Sequence, residues 1–300
     1  MSAGPHDVSV TAATLPGDLG PDDLVLLGWP VAHSRSPAMH NAAAAHLGLP
    51  LRYRALGVAP EELDGVVVAL GQRGVRGANV TVPHKLTVMS HCDVLSDEAR
   101  LVGAVNTLTW ERDADLVRLE GHNTDAVGLQ AALAEDVEDL HGSRVLLVGT
   151  GGAARAAAVA LVRCGAVVTV AGRDPRGCAA ILDVVTATDQ VGGAAAGIVD
   201  LHDDVALRAA VTESRMVVNA TSLGLSGEHL PDACEALRSD QVAYDLVYGP
   251  ETPFLAAARA AGAQAHGGLG MLVHQAAAAF ARWSGVEAPV EAMRDGLASS

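Results

Sequence analysis

The stretch Arg144-Val-Leu-Leu-Val-Gly-Thr-Gly-Gly-Ala-Ala154 decides the fold of the second half of the chain. An apolar run enters a turn with glycines at positions 149 and 151, and an alanine-rich helical pattern follows. In a dinucleotide-binding βα unit the first glycine permits the tight turn, the second lets the backbone approach a pyrophosphate, and the third small residue keeps helix and strand close. We therefore predict a nucleotide-binding turn formed by Gly149, Gly151, Gly152, Ala153 and Ala154.

Short apolar runs alternate with helical patterns along the whole chain. Ten runs predict strands, at 24–28, 52–58, 76–82, 107–110, 117–121, 144–149, 167–171, 197–201, 216–219 and 241–246. Alternating βα units imply mainly parallel sheets that are covered on both faces. Because a second βα series starts at Arg144, we expect the domain boundary near a helix at 124–135.

The composition excludes several classes of partner. Half of the residues are apolar and only 3% are aromatic, so the interiors must be built from alanine, valine and leucine. The formal charge of −15 argues against nucleic acid or an anionic membrane as partner, because either would be repelled. The four cysteines show no C-x-x-C pair and no histidines at zinc-finger spacing, so we expect reduced, mostly buried thiols and no metal site.

Residues 1–22 precede the first predicted strand, and their glycine, proline and aspartate content predicts a flexible tail. This segment lacks the basic and apolar regions of a signal peptide. No run of the chain approaches the roughly 18 apolar residues that a membrane span needs. We therefore expect a cytoplasmic protein.

A second informative stretch is Asn79-Val-Thr-Val-Pro-His-Lys85. Residues two apart on a strand point to the same side, so Asn79 and Thr81 can face one ligand. Pro83 cannot donate the hydrogen bond that a central strand needs, so it ends the strand. Lys85 then lies at the start of a short helix. Alone, the stretch is equally compatible with an ordinary strand, turn and helix carrying a solvated lysine.

Further motifs accompany these two stretches in a fixed order. They are Ser34-Arg-Ser-Pro37, Gly103-Ala-Val-Asn-Thr107, Gly121-His-Asn-Thr-Asp125, Asn219-Ala-Thr-Ser222, Asp245-Leu-Val-Tyr248 and Gly270-Met-Leu-Val-His-Gln275. Together, from about Leu24 to Trp283, the motifs resemble the shikimate dehydrogenase family.

The resemblance implies a two-lobed α/β protein. A Rossmann-type doubly wound parallel sheet domain would occupy 126–266. A discontinuous α/β substrate domain with a mainly parallel sheet would occupy 23–125 and 267–300, because the last helices, from 268 to 298, return to the first lobe in this family. We therefore expect a cleft between the lobes.

The resemblance also implies the substrate residues. Ser34 and Ser36 would bind the carboxylate of a shikimate-like acid, with Tyr248 close to the same group. The ring hydroxyls would be held by Asn79, Thr81, Asn106, Asp125 and Gln275. Hydrogen-bonding groups in a closed cleft reject analogues that lack the matching hydroxyl. Ser36 precedes Pro37 and so also has the form of a helix N-cap.

Lys85 and Asp125 are the catalytic residues that the resemblance implies. Reduction of a ring ketone needs a hydride from a nicotinamide and a proton for the developing alkoxide, and a lysine ammonium can supply that proton and stabilise the charge. Asp125 would orient Lys85 and the substrate hydroxyls, and which of the two holds the proton at each step stays open. We interpret His84 and His122, which adjoin them in sequence, as wall residues.

The cofactor would contact the glycine turn, Arg173 and a further set of residues. That set is Asn219, Thr221, Ser222, Gly270 and Met271. The Asn219 motif is also compatible with a polar turn that closes a strand.

NADP is the predicted cofactor, although NAD is possible because of Asp174. NADP-dependent relatives typically carry Asn-Arg-Thr or Asn-Arg-Ser where this chain has Gly172-Arg173-Asp174. Arg173 matches the arginine that stacks on adenine and pairs with the 2′-phosphate. Asp174 would repel that phosphate unless it is turned away; it can instead accept from a ribose hydroxyl, as in NAD enzymes, or cap the next helix.

The predicted reaction is the reversible reduction of 3-dehydroshikimate to shikimate, by a monomer or homodimer. Oxidation of quinate or aminoshikimate is the close alternative, but retention of both Ser34 and Ser36 favours shikimate. A non-catalytic shikimate- or nucleotide-binding sensor is an alternative of another class, and such a protein should have lost Lys85 and Asp125. A folate-type dehydrogenase fits less well, because the pattern suits a small polyol acid better than a pterin.

Overall fold

The chain forms two compact units in the computed structural model, which describes residues 9–113, 116–190, 192–249 and 251–299. The first unit comprises the described residues up to Thr124 and those from Gln275 onward. The second comprises those from Asp125 to His274. Each unit has its own six-stranded sheet and its own hydrophobic core.

The first unit is built on a mainly parallel sheet, as predicted. Its strands are β1 (Asp23–Gly28), β2 (Arg52–Gly57), β3 (Gly77–Val80), β4 (Val94–Leu95), β5 (Thr107–Asp113) and β6 (Leu116–His122). In the order β2-β1-β3-β5-β6-β4, β1 runs parallel to β2 and β3, and β4 runs parallel to β6. Strand β5 pairs antiparallel with β3 and β6, so one hairpin interrupts the parallel pattern.

The helices of the first unit come from both ends of the chain. They are α1 (Ser36–His46), α2 (Leu63–Gln72), α3 (Asp97–Val102), the later part of α10 (Leu269–Ser284) and α11 (Val290–Ala298). Gly77 in β3 lets α10 approach the sheet, because a Cβ atom there would overlap the indole of Trp283. The indole Nε1 of Trp283 donates to the carbonyl oxygen of Leu108 at 3.0 Å, which fixes the helix on the sheet.

Residues 9–22 are packed into the first unit, so the expectation of a flexible tail is wrong for the described part of that segment. Leu15 and Leu19 are 4% and 6% exposed and belong to the hydrophobic core. The carboxylate of Asp18 accepts two hydrogen bonds from the guanidinium of Arg54, at 2.9 and 2.6 Å. Burial of two leucines and this ion pair hold the segment, while residues 1–8 lie outside the described residues.

The second unit has the predicted Rossmann-type fold. Its strands are β7 (Arg144–Val148), β8 (Val167–Gly172), β9 (Ala195–Asp200), β10 (Met216–Asn219), β11 (Val242–Asp245) and β12 (Gln264–His266). All adjacent pairs are parallel in the order β12-β11-β10-β7-β8-β9, which is the doubly wound order with β7 first in sequence.

Helices connect the strands of the second unit. They are α4 (Asp125–Asp136), α5 (Gly152–Arg163), α6 (Pro175–Thr188), α7 (Asp204–Glu213), α8 (Asp232–Glu235) and α9 (Pro253–Ala260), followed by the first part of α10. Among the described residues, no helix has the length and apolar character that crossing a membrane requires.

Candidate active site

Three chain segments meet at one end of the central strands β3, β5 and β6 of the first sheet. The N–H of Val80, at the end of β3, donates to the carbonyl oxygen of Asn106, just before β5, at 2.8 Å. The N–H of Asn106 in turn donates to the carbonyl oxygen of His122, the last residue of β6, at 3.0 Å. This arrangement brings together Asn79 and Asn106, which are 27 residues apart in sequence.

Buried hydrogen bonds fix the side chains of Asn79 and Asn106. The Nδ2 atom of Asn79 donates to the carbonyl oxygen of Asn106 and to the hydroxyl of Thr107, both at 3.1 Å. The Oδ1 atom of Asn106 accepts from the Thr107 hydroxyl at 2.9 Å and from the N–H of Thr124 at 2.8 Å. Sequence reasoning missed Thr107 and Thr124, which orient the two amides.

Lys85 lies in a turn after β3, two residues before a 3₁₀ helix (Thr87–His91), and not at the helix start that we expected. Its carbonyl oxygen accepts from the N–H of Val105 at 2.8 Å, which joins the turn to the segment before β5. Beside it, His84 is buried, and its Nε2 atom lies 2.7 Å from the carbonyl oxygen of Val58. The turn that carries Lys85 is therefore anchored at two points.

Ser34 and Ser36 lie next to each other where α1 begins. The hydroxyl oxygen of Ser34 accepts from the N–H of Ser36 at 3.3 Å. Arg35 occupies the cap position of α1, and no side chain makes a cap hydrogen bond. The expected N-cap role of Ser36 is therefore wrong. Since its hydroxyl is not used to cap the helix, it can serve a ligand near the positive end of the helix dipole.

The other predicted substrate and catalytic residues lie on separate elements. Gln275 is 9% exposed and lies in the part of α10 that belongs to the first unit. Asp125 is the first residue of α4, is 3% exposed and belongs to the second unit. Tyr248 is half-buried and follows β11 in the second unit. Their predicted roles stay predictions.

The turn after β7 has the geometry that a dinucleotide requires. Gly149 has a φ of +124°, and an added Cβ atom would lie 2.8 Å from the carbonyl oxygen of Ala220. A Cβ atom at Gly151 would meet nothing within 4 Å, so a ligand can approach the backbone there. Helix α5 begins at Gly152 without a side-chain cap, which leaves its first N–H groups for an anion. Ala154 is fully buried, as the close contact of helix and strand requires.

Asp174 caps helix α6. Its carboxylate accepts hydrogen bonds from the N–H groups of Arg176 at 3.1 Å and Gly177 at 3.2 Å. Of the interpretations open from sequence, capping is the one that this geometry matches. Arg173, the preceding residue, is exposed at the end of β8.

Gly172 occupies a position with no room for a side chain. An added Cβ atom would lie 2.5 Å from the Sγ atom of Cys178 and 2.8 Å from the Cγ2 atom of Thr150. These two side chains fill the space that a larger residue, such as the expected asparagine, would need. Glycine at position 172, where we expected asparagine, therefore fits the space that Cys178 and Thr150 leave.

The side chain of Asn219 is fully engaged by its own turn and by Asp245 of the neighbouring strand β11. Its Nδ2 atom donates to the carbonyl oxygen of Leu223 at 3.0 Å and to Asp245 at 2.9 Å. Its Oδ1 atom accepts from the N–H and the hydroxyl of Thr221, at 3.0 and 2.7 Å. A cofactor contact in this motif would therefore come from backbone groups or from Ser222, which is exposed.

Gly270 and Met271 lie in the first turn of α10, in the second unit. A Cβ atom at Gly270 would lie 3.2 Å from the Cβ atom of Ala132 in α4, so glycine permits close helix packing there. Met271 is 7% exposed. Helix packing explains Gly270 without a ligand, and the cofactor role of both residues stays a prediction.

The buried histidines of the first unit are uncharged at neutral pH. Burial lowers the pKa of His40 to about 3, against a small opposing effect of the Asn79 side chain. Burial, followed by the charge of Arg282, lowers the pKa of His122 to about 4. Both rings are therefore buried, uncharged side chains. Over the described ranges, no group of three or more His, Cys, Asp and Glu side chains is placed to hold a metal ion.

Two family models match parts of the chain. Residues 26–108 match the model described as the shikimate dehydrogenase substrate binding domain. Residues 268–295 match the model described as the shikimate 5′-dehydrogenase C-terminal domain. The first match contains the Ser34 motif and the Asn79–Lys85 stretch, and the second contains Gln275.

Curated relatives align over nearly the whole chain. Shikimate dehydrogenase (NADP(+)) from Moorella thermoacetica is 42% identical over 275 residues, which cover 90% of this chain and 90% of the relative. Shikimate dehydrogenase (NADP(+)) from Anaeromyxobacter sp. (strain K) is 46% identical over 266 residues, covering 88% of this chain and 91% of the relative.

Solved structures share the fold. Shikimate 5-dehydrogenase from Thermus thermophilus, in complex with NADP(H) and shikimate, has a TM-score of 0.78 and 36% identity, covering 92% of this chain and 98% of its own. Quinate dehydrogenase from Corynebacterium glutamicum, in complex with NAD, has a TM-score of 0.81 and 32% identity, covering 93% of this chain and 99% of its own. The same fold therefore carries both dehydrogenases.

Proposed function

The chain belongs to the shikimate dehydrogenase family, and we propose that it reversibly reduces 3-dehydroshikimate to shikimate with NADPH, in the biosynthesis of aromatic amino acid precursors. One observation carries the proposal. Asn79 and Asn106 are in contact at the end of the central strands of the first sheet, beside the anchored turn of Lys85. Oriented amides beside a turn that carries a lysine suit a small molecule that carries hydroxyl groups and a ketone.

We assign substrate binding chiefly to the first unit. The hydroxyls of Ser34 and Ser36 would bind the carboxylate, assisted by Tyr248. The ring hydroxyls would be bound by Asn79, Thr81, Asn106, Asp125 and Gln275. Because these polar groups would be left without partners by an analogue lacking the matching hydroxyl, they provide selectivity as well as affinity.

Proton transfer is the role that we assign to Lys85. When bound, NADPH supplies the hydride. The Lys85 ammonium donates a proton to the developing alkoxide oxygen and stabilises its negative charge, and in the oxidation direction the amine takes that proton back. Asp125 orients Lys85 and the substrate hydroxyls. Anchoring of the Lys85 turn limits the positions that the ammonium can reach, which favours a reactive geometry.

We assign NADP binding to the second unit, whose residues fit the group. The open backbone at Gly151 and the uncapped start of α5 suit the pyrophosphate. Arg173 would stack on the adenine and pair with the 2′-phosphate. The Asp174 carboxylate accepts from two backbone N–H groups of α6, so helix capping accounts for this residue without a ribose hydroxyl. The relatives named as NADP(+)-dependent favour NADP over NAD.

We further propose that the enzyme works in the cytoplasm as a monomer or homodimer. Light scattering coupled to gel filtration would measure the mass of the native particle. A mass matching one or two copies of the 30.5 kDa chain is expected, and a larger assembly would contradict it.

Spectrophotometry at 340 nm tests the proposed reaction. Purified protein is offered shikimate or quinate, each with NADP or NAD, and formation of the reduced cofactor is followed. Turnover of shikimate with NADP at much higher kcat/KM than any other pair is the expected result. A preference for quinate, the activity of the Corynebacterium glutamicum neighbour, would move the assignment to that substrate. If calorimetry shows that shikimate binds but none of the four substrate and cofactor pairs is turned over, the protein is a sensor.

A further inference from the structure

Tyr53 determines which way the amide of Asn79 faces, and we propose that it is a positioning residue for substrate binding. The phenolic hydroxyl of Tyr53 donates to the Oδ1 atom of Asn79 at 2.8 Å, and both side chains are buried. The inference rests on the proposed function, in which Asn79 binds a ring hydroxyl of the substrate.

Two successive residues of α1 hold Tyr53 in place. Tyr53 lies in β2, at the edge of the first sheet, where main-chain groups need partners from outside the sheet. Asn41 supplies both partners: its Oδ1 accepts from the N–H of Tyr53 at 2.8 Å, and its Nδ2 donates to the carbonyl oxygen of Tyr53 at 3.0 Å. The ring of His40 stacks on the phenol, with centroids 4.1 Å apart and planes 3° from parallel. Backbone and ring of Tyr53 are therefore both fixed.

The hydrogen bonds around Asn79 allow one amide orientation. The carbonyl oxygen of Asn106 can only accept, so the atom 3.1 Å from it must be the nitrogen of the amide. The Thr107 hydroxyl gives its proton to Asn106 Oδ1, so it accepts the second hydrogen of Asn79 Nδ2. Both hydrogens of the amide are thus used within the protein, and the Tyr53 hydroxyl confirms the position of the oxygen.

Asn79 can therefore serve the substrate as an acceptor. An amide oxygen has two lone pairs, and Tyr53 occupies one of them. The second lone pair can accept from a substrate hydroxyl. This predicts that the group bound at Asn79 is a hydroxyl that donates its proton, and it excludes a ketone or carboxylate oxygen at that position. Without the Tyr53 hydroxyl, the amide oxygen would lose its buried donor and its fixed direction.

Tyr53→Phe tests the inference with little change in packing, because phenylalanine retains the ring that stacks on His40. We expect KM for shikimate to rise about tenfold, the equivalent of one buried hydrogen bond, while kcat and KM for NADP change little. Asn79→Ala should raise KM at least as much. In the double variant, Tyr53→Phe should add little to the rise in KM that Asn79→Ala causes, because the proposed effect of Tyr53 on substrate binding is exerted through Asn79.

Tyr244→Phe is the matched control, since it removes another largely buried phenol hydroxyl, which donates to Asp136 at 2.9 Å in the second unit. This variant should lose stability without a change in KM for shikimate. A Tyr53→Phe variant with the wild-type KM, or additive effects in the double variant, would leave Tyr53 a structural residue and overturn the inference. A wild-type protein that neither binds nor oxidises shikimate would refute the proposed function itself, and the inference with it.

Discussion

The Nε2 atom of His84 lies 2.7 Å from the backbone carbonyl oxygen of Val58. Burial lowers the pKa of His84, so the ring is neutral near pH 7, and because a carbonyl oxygen can only accept, Nε2 carries the hydrogen. This bond ties the turn that carries Lys85 to the end of β2. His84 therefore holds the Lys85 turn, and its Nε2 proton is not available to a substrate.

His84→Ala should lower kcat more than it changes substrate affinity. Loss of the anchor would let the Lys85 turn shift, and a displacement of about 1 Å can cost up to about a hundredfold in rate. The carbonyl oxygen of Val58 would lose its partner, at a cost of about 1–3 kcal/mol in the free energy of unfolding. His84→Gln retains an N–H donor and should recover part of both losses. Equal kcat values for the wild type and His84→Ala would refute the anchoring role.

Gly28→Ala should raise KM for shikimate. An added Cβ atom would overlap the Cγ2 atom of Thr81 and lie 2.8 Å from the Cγ1 atom of Val31, so Thr81 must move. Overpacking of this kind costs about 1–3 kcal/mol in stability. Gly17→Ala is the control, because a Cβ atom there meets nothing within 4 Å. Steady-state kinetics and chemical denaturation of both variants measure these effects, and an unchanged KM in Gly28→Ala would argue against Thr81 as a substrate residue.

Asp174→Ala should weaken α6 without changing the preference for NADP. Loss of the N-cap costs about 0.5–2 kcal/mol in stability. Arg173→Ala is the informative comparison, since it should lower kcat/KM for NADP much more than for NAD. The ratio of the two kcat/KM values, measured for each variant, separates the roles. A large change of that ratio in Asp174→Ala would make Asp174 a determinant of cofactor choice.

Stability should fall on acidification because of His40. Its pKa is lowered from 6.5 to about 3 in the folded protein, so the unfolded chain binds a proton that the folded chain does not. The contribution of the neutral, buried His40 to the free energy of unfolding is fully present above pH 6.5 and is lost as the pH falls towards 3. Over that whole range it amounts to at most about 5 kcal/mol. The buried His122, with a pKa lowered to about 4, acts in the same direction.

His40→Phe retains an aromatic ring against Tyr53 and removes the titrating group. Urea denaturation of the wild type and this variant, measured from pH 7.5 to pH 4, should show a smaller loss of unfolding free energy in the variant. Parallel curves would show that His40 does not cause the acid sensitivity.

Much of the fold follows from sequence periodicity. All ten predicted strands are present, and the predicted helix at 124–135 is observed as α4 (Asp125–Asp136). Strands β4 and β12 were missed because they have two and three residues, too few for an apolar pattern to be recognised. Burial of Leu15 and Leu19 was missed because two leucines among prolines and glycines give no periodic signal.

The site was predictable as motifs but not as a hydrogen-bond network. Asn79 faces Thr107 because β3 and β5 pair in an antiparallel register, and no local spacing shows that register. Tyr53 reaches Asn79 from β2 across β1, which pairs parallel with both β2 and β3, and local spacing does not show that alignment either. In the second unit, the glycine turn was clear from sequence, whereas saturation of the Asn219 side chain depends on Asp245 from the neighbouring strand.

The most direct test of the central claim is a side-by-side assay of the wild type and Lys85→Ala for oxidation of shikimate with NADP. We predict ready turnover by the wild type, and a kcat lowered by roughly 10²–10⁴-fold in Lys85→Ala, with KM for shikimate little changed. A wild-type protein that does not oxidise shikimate would contradict the proposed reaction, and a Lys85→Ala variant that retains kcat while KM rises would reduce Lys85 to a binding residue.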